Sequence, residues 1–131
     1  VIPDFFRDVL DDNDLTIFSN GDTTRTFCYI SDAVEGYIRV LLSKHNGEPF
    51  NIGTEKPEIT MKELAEIIIS ISRKKLKIKY NKNVDSEYLT DNPQRRCPSI
   101  DKARNLVKYN PRVSLQKGLE RTYKYYLSCL E

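Results

Sequence analysis

Residues 15–32 read Leu15-Thr16-Ile17-Phe18-Ser19-Asn20-Gly21-Asp22-Thr23-Thr24-Arg25-Thr26-Phe27-Cys28-Tyr29-Ile30-Ser31-Asp32. Leu15 to Phe18 is a short β-like run. Ser19-Asn20-Gly21-Asp22 closes it as a turn, since Asn and Gly tolerate positive φ. A second strand is expected over Arg25–Ile30, where alternation puts Arg25, Phe27 and Tyr29 on one face and Thr26, Cys28 and Ile30 on the other. Ser31 can then cap a helix, which carries Val34, Tyr37, Ile38, Leu41 and Leu42 as its apolar stripe and ends before His45-Asn46-Gly47.

The same alternation of short strands and helices extends in both directions. Upstream, Phe5, Phe6, Val9 and Leu10 share one face of a helix whose first turn suits Pro3. Downstream, Phe50-Asn51-Ile52-Gly53 reads as a brief buried strand. Thr60-Met61-Lys62-Glu63 is a capping box, opening a helix with Met61, Leu64, Ile67, Ile68 and Ile71 inside. Leu76 to Tyr80 alternates again and predicts an edge strand with its lysines in water. Residues 81–98 show no periodicity and read as a long surface loop, a length that in a compact domain often carries function. Two helices finish the chain. One follows Ser99 with Ile100, Ala103, Leu106 and Val107 inward; the other is capped by Ser114 with Leu115, Leu119, Tyr126 and Leu130 inward. The expectation is an α/β fold, a small domain of short strands with packed helices, spanning residues 1–131 as a single unit.

The chain has 131 residues, 39% hydrophobic and 31% charged, which is enough for one core without disulfides or a structural metal. Lys+Arg 21 against Asp+Glu 19 leaves a net charge of +2, which argues against a dedicated nucleic-acid or membrane-surface protein. Cys28, Cys97 and Cys129 are odd in number and far apart, so neither a disulfide framework nor a zinc site is indicated, and a reducing, cytoplasmic setting fits. No apolar run reaches the length of a membrane-spanning helix. The N-terminal Val-Ile-Pro-Asp-Phe-Phe-Arg has no initiator Met, cationic region or cleavage site, and reads as an internal stretch.

Catalytic groups are scarce. His45, the single histidine, lies in a turn and reads as a solvated residue rather than a general base. The glycines form no Gly-x-Gly-x-x-Gly fingerprint or phosphate loop, and no tyrosine is followed by a lysine four residues later. Arg25, after Thr23-Thr24 and the Asn20-Gly21 turn, and the Arg95-Arg96 pair are the groups that loops could bring to an anion. Guanidinium forks match phosphate oxygens, so two of them converging from separate loops would hold a diphosphate from both sides. On spacing alone, solvated surface arginines explain them as well. Phe18 is either ordinary core or an apolar wall for a nucleobase. The run Arg73-Lys74-Lys75 with Lys77, Lys79 and Lys82 raises a nucleic-acid-binding module as a rival, but alternation with Leu76, Ile78 and Tyr80 accounts for most of it as a strand's wet face.

The stretch 15–32 resembles the segment LTVYGDGxQTRxFxYVxD of the NAD-dependent nucleotide-sugar epimerase/dehydratase/decarboxylase family, the extended short-chain dehydrogenases. Further stretches resemble the same family in the same order: Phe50-Asn51-Ile52-Gly53 with Ile59-Thr60-Met61-Lys62-Glu63-Leu64-Ala65, then 92–103 around Arg95-Arg96-Cys97-Pro98, then Asn110-Pro111-Arg112-Val113 to Leu119. The likeness is to the C-terminal, substrate-binding part. In full-length relatives the glycine-rich NAD loop and a Tyr-x-x-x-Lys pair precede it, and this chain has neither. The resemblance therefore implies that the chain itself binds no cofactor and supplies no catalytic residue. NAD is expected in the full-length enzyme, where it oxidises the sugar at C4 to enable epimerisation, elimination or decarboxylation.

By the same resemblance, Phe18, Asn20, Gly21, Thr23, Thr24, Arg25 and Arg96 border a nucleotide-sugar substrate, a UDP- or dTDP-sugar. Phe18 lies near the base, Arg25 lies on the phosphates or ribose, and Arg96, which matches the arginine of the family's RxPD motif, reaches the diphosphate. Arg95 falls where the family varies. Nucleic acid and membrane are not expected partners, and a homodimer is expected only of the full-length protein. The chain also departs from the pattern. Asp4 and Asp8 replace an Asn and a Gln near the substrate, where a carboxylate repels a diphosphate unless it faces away. Phe18 replaces a Tyr, Thr23 replaces a Gln, and Lys108-Tyr109 replaces Gly-Trp at a helix end. The alternative reading is a free-standing nucleotide-binding or structural module without catalysis.

Overall fold

Phe5, Phe6 and Val9 face inward from the first helix because they recur at helical spacing, and the core forms around them. The computed structural model describes residues 1–81 and 93–130. Along the chain run α1 (Ile2–Leu10), β1 (Leu15–Ile17), β2 (Thr24–Arg25), α2 (Ile30–Leu41), β3 (Ile59–Thr60), α3 (Met61–Ser72), β4 (Ile78–Tyr80), β5 (Arg95–Arg96), α4 (Asp101–Val107) and α5 (Leu115–Ser128). The fold is α/β, with two small sheets among the described residues: β1 with β4, and β3-β2-β5.

The first sheet is parallel, with Leu15 opposite Ile78 and Ile17 opposite Tyr80. Leu15 and Ile17 point into the main core with Leu64, Ala65 and Ile68 of α3 and Leu119 of α5. Thr60 and Glu63 form the reciprocal capping box that fixes where α3 begins, with Glu63 N–H to Thr60 Oγ1 at 3.1 Å and Thr60 N–H to Glu63 Oε2 at 2.7 Å. In the second sheet β2 lies between β3, to which it is antiparallel, and β5, to which it is parallel. The long loop expected at 81–98 therefore ends in a paired strand from residue 95; residues 82–92 lie outside the described residues.

Several expectations fail for physical reasons. The strand expected over Arg25–Ile30 pairs only at Thr24 and Arg25, and Ile30 already opens α2, so Tyr29 rather than Ser31 stands at the helix start. Phe50-Asn51-Ile52-Gly53 pairs with no strand; instead Phe50 and Ile52 pack on a second cluster of Ile100, Ala103, Val107 and Tyr109. Leu106 and Leu130, expected inside, are exposed.

The largest correction concerns α2. Its apolar stripe faces outward, with Tyr37 62%, Leu41 80% and Leu42 79% exposed, while the buried face carries Asp32 and Gly36. The Asp32 carboxylate accepts the backbone N–H groups of Arg112 and Val113 at 2.9 and 2.8 Å, which holds the loop before α5 against α2. Four residues on, Gly36 lets the helix close on Ile52 and Tyr109. Tyr109 is itself 1% exposed and donates to Gly53 C=O at 2.9 Å. The residue before it, Lys108, takes a left-handed φ of 56° as the helix cap.

A Cβ at Gly36 would stand 2.5 Å from Ile52 Cγ2 and 2.9 Å from Tyr109 Cε2. In an open helix Gly→Ala gains about 1 kcal/mol; at this position overpacking outweighs that gain, so Gly36→Ala should destabilise by about 1–2 kcal/mol in urea unfolding. A stabilised variant would mean that α2 does not sit on this cluster.

Candidate functional site

Alternation along two-residue strands decides which side chains meet. Arg25 and Arg96 are register partners across β2 and β5, as are Thr24 and Arg95. Residues directly opposite each other lie on one face, and the next residue along each strand lies on the other. Arg25 and Arg96 accordingly line a cavity of about 370 Å³, together with Phe18, Thr23, Thr26 and Asp4. Thr24 and Arg95 occupy the opposite face.

Phe18 follows β1 directly and is 51% exposed at the cavity, so it is not core. Thr23 is nearly buried, and its carbonyl accepts the Met61 N–H at 3.1 Å, tying the cavity wall to α3. Arg25 Nη1 donates to the carbonyls of Thr24 at 2.7 Å and Gln94 at 3.3 Å, which anchors the guanidinium at the strand mouth. Among the described residues Arg96 is paired with no carboxylate.

Asp4 of α1 also lines the cavity, in line with the expected departure, and Arg7 stands 3.3 Å from its carboxylate. Asp8 is not part of the lining. The walls are thus mixed: two guanidinium groups from the second sheet, the rings of Phe5, Phe18 and Phe27, and a carboxylate from α1.

Three of the residues expected at the site do other work. Asn20 folds the turn, its Oδ1 accepting Asp22 N–H at 3.2 Å and its Nδ2 donating to Asp22 at 2.7 Å. Gly21 takes φ 87°, packs beneath Tyr80, and accepts Lys62 N–H through its carbonyl at 3.3 Å. The Thr24 hydroxyl donates to Glu58 at 2.5 Å, on the sheet face away from the cavity. Thr24 thus turns its hydroxyl away from the cavity that its neighbour Arg25 lines.

Glu58 is the residue that sequence reasoning missed. It sits just before β3 and receives the fork of Arg95, Nε to Oε1 at 2.9 Å and Nη2 to Oε2 at 2.8 Å. Glu55 does similar work a few residues earlier, accepting Arg104 Nη2 at 2.6 Å and Ile100 N–H at 3.1 Å. No spacing rule links these carboxylates to partners about forty residues away, so nothing in the sequence pattern pointed to them.

Elsewhere the chemistry is quiet. His45 lies 3.4 Å from Glu48 and edge-on to Phe50 at the surface. Burial pushes the Cys28 thiol above its ordinary value, and its Sγ lies 3.4 Å from the Tyr109 hydroxyl. Among the described residues no cluster of His, Cys, Asp or Glu is arranged to hold a metal ion, and no helix is long and apolar enough to cross a membrane. The helix starts that could cradle a dinucleotide phosphate do not fit one: α3 is closed by its own capping box, α5 by Ser114, and α2 starts at Tyr29-Ile30 without a glycine loop. Among the described residues, none of these three helix starts presents a glycine loop to a phosphate.

Known proteins resemble this chain in sequence and in fold. Residues 1–53 match the NAD dependent epimerase/dehydratase family. UDP-glucuronic acid decarboxylase 4 of Arabidopsis thaliana is 36% identical over 119 residues, covering 91% of this chain and 25% of that protein. The UDP-N-acetyl-alpha-D-glucosaminuronate decarboxylase of Bacillus cytotoxicus is 34% identical, covering 96% of this chain and 39% of the relative. Among solved structures, the UDP-glucuronic acid 4-epimerase of Bacillus cereus, in complex with UDP-glucuronic acid and NAD, superposes with a TM-score of 0.85 at 33% identity, over 98% of this chain and 40% of that one. An epimerase of Methanothermobacter thermautotrophicus reaches 0.89 at 32% identity, over 99% and 38%. The chain belongs to the NAD-dependent epimerase/dehydratase family, and it spans between a quarter and two fifths of the length of these relatives.

The carboxylates behind the site lead to an expected loss of stability in acid. The Arg95 hydrogen bonds, then the Thr24 hydroxyl, hold Glu58 below the usual carboxylate range; Arg104 and then the Ile100 N–H do the same for Glu55. A lowered folded-state pKa contributes stability that is complete above the unfolded value and is lost as pH falls through the folded one. The melting temperature should therefore hold from pH 7 to about 5 and fall below about pH 4. In Glu55→Gln the fall should be shallower, and an equally steep fall would remove Glu55 from this account.

Proposed function

We propose that the chain is the nucleotide-sugar-binding region of an NAD-dependent epimerase, dehydratase or decarboxylase, a lyase or isomerase of the cytoplasm, acting on a UDP- or dTDP-sugar through a C4-keto sugar. The observation that carries this reading is the pairing of Arg25 with Arg96 on one wall of a cavity whose rim holds an exposed phenylalanine. A diphosphate carries about two negative charges, and two forked donors side by side complement it better than ammonium groups would. Phe18 offers the apolar surface on which a base rests. Three of the relatives named above are UDP-sugar decarboxylases or a UDP-sugar epimerase, and one was solved with UDP-glucuronic acid and NAD bound. On this reading Phe18, Thr23, Arg25 and Arg96 touch the substrate, while Asn20, Gly21 and Thr24 shape the wall behind them.

Grip on the diphosphate holds the sugar in place for a reaction whose oxidant binds elsewhere. The NAD-binding part is proposed to lie outside residues 1–131 and to pack on the outward stripe of α2, which would otherwise leave Leu41, Leu42, Tyr37 and Ile38 in water. A homodimer is proposed only for the longer protein.

Titration calorimetry with UDP tests the reading. UDP should bind the chain, and NAD alone should not. Arg25→Ala and Arg96→Ala should each weaken UDP by about 10- to 100-fold, since each removes at least one charge-assisted contact. Phe18→Ala should weaken it by about tenfold with the melting temperature unchanged, because the ring is half exposed. Unchanged UDP affinity in both arginine variants would remove the clamp.

A further inference from the structure

Strands β2, β3 and β5 are two residues each. Strand β5 meets β2 through the backbone bonds Thr24 N–H to Gln94 C=O at 2.9 Å and Thr26 N–H to Arg96 C=O at 3.3 Å. Ladders this short fix direction weakly, since fewer than about three residues per strand give little cooperative pairing. Something further must hold β5 so that Arg96 points into the cavity.

One carboxylate on the far face spans the whole sheet. Glu58 lies at the entry of β3, takes the Thr24 hydroxyl from β2 at 2.5 Å, and takes both forks of Arg95 from β5 at 2.9 and 2.8 Å. We propose that Glu58 is a positioning residue: with Arg95 and Thr24 it latches the three strands together on one face and thereby sets the direction of Arg25 and Arg96 on the other. The step from latch to site is the strand's period of two. Holding Arg95 on one face turns Arg96 to the other, and holding Thr24 does the same for Arg25.

A lone surface ion pair contributes little, because two long side chains lose freedom in water. This one differs in its forked geometry, in the third donor from Thr24, and in the 26% exposure of the Glu58 side chain. Neither Glu58 nor Arg95 lines the cavity, so any effect on a ligand there is transmitted through the backbone.

The consequence for UDP rests on the proposed function, whereas the latch can be measured without ligand. Hydrogen exchange of the Thr24 and Thr26 amides reports the β2–β5 pairing, and the amides of Leu64, Ala65 and Ile68 report the core. Glu58→Gln and Arg95→Ala should each speed exchange at Thr24 and Thr26 by about fivefold and leave the core amides unchanged. The double variant should be no worse than either single, as expected for one shared interaction. Arg95→Lys, which keeps the charge and loses the fork, should fall between wild type and Arg95→Ala. UDP binding should weaken by about three- to tenfold in Glu58→Gln and in Arg95→Ala. Unchanged exchange at Thr24 and Thr26 overturns the latch whatever UDP does. Faster exchange with unaltered UDP affinity overturns the positioning role. Loss of protection at the core amides makes Glu58 a general stability residue and also overturns it. Failure of the wild-type chain to bind UDP overturns the proposed function, and the latch then stands or falls on exchange alone.

Discussion

The register of β2 against β5 is the constraint from which the site follows. It joins Arg25 to a segment 69 positions further along the chain, at Gln94, and fixes which arginine of the Arg95-Arg96 pair faces the cavity. A slip of one residue would exchange the two, putting Arg95 in the cavity and Arg96 against Glu58. The sheet is too small to hold this register by its own ladder. Its neighbours supply the rest: Ile59 and Met61 are anchored in the main core, and the Met61 N–H reaches across to Thr23. The fold thus places an arginine-bearing wall on a packed base made by α1, α3 and α5.

Much of that base was legible in the sequence. The helical faces of α1 and α3, the Thr60–Glu63 cap and the Ser114 cap follow from local periodicity and capping chemistry, and they appear where expected. The cavity residues divide more sharply. Arg25, the Arg95-Arg96 pair and Phe18 stood out by their chemistry, whereas Thr23 and the choice of Arg96 over Arg95 came through a resemblance, and their meeting depends on a long-range pairing that no local pattern encodes. Glu58 and Glu55 were missed because a carboxylate's partner across a fold leaves no mark at fixed spacing.

Helix α2 misled the reading for a different reason. Hydrophobic periodicity identifies the side of a helix that some apolar surface covers, and it does not say which surface. Within this chain the covered side is the one that carries Asp32 and Gly36, a charged residue and a residue without a side chain. Both are selected by close approach: Asp32 satisfies two backbone N–H groups, and Gly36 admits Ile52 and Tyr109 at distances no Cβ would permit. The apolar stripe faces the other way, so α2 has two contact surfaces of opposite character, and a rule that seeks one apolar face finds only one of them.

The same division of labour runs through the second sheet. Its cavity face carries the guanidinium groups of Arg25 and Arg96, and its far face carries a carboxylate that pairs with Arg95. Two adjacent arginines in one strand would repel each other if both faced the same side. Placing Glu58 behind the sheet answers one of them and leaves the other for the cavity. Asp4 stands at the opposite wall with Arg7 beside it, so its charge is partly compensated before any anion arrives. The cavity wall is therefore electrostatically uneven, with two arginines of the sheet at one part and a carboxylate already paired with Arg7 at another, and on the proposed function that asymmetry would turn a phosphate toward β2 and β5 and hydroxyl-bearing groups, which can donate to Asp4, toward α1.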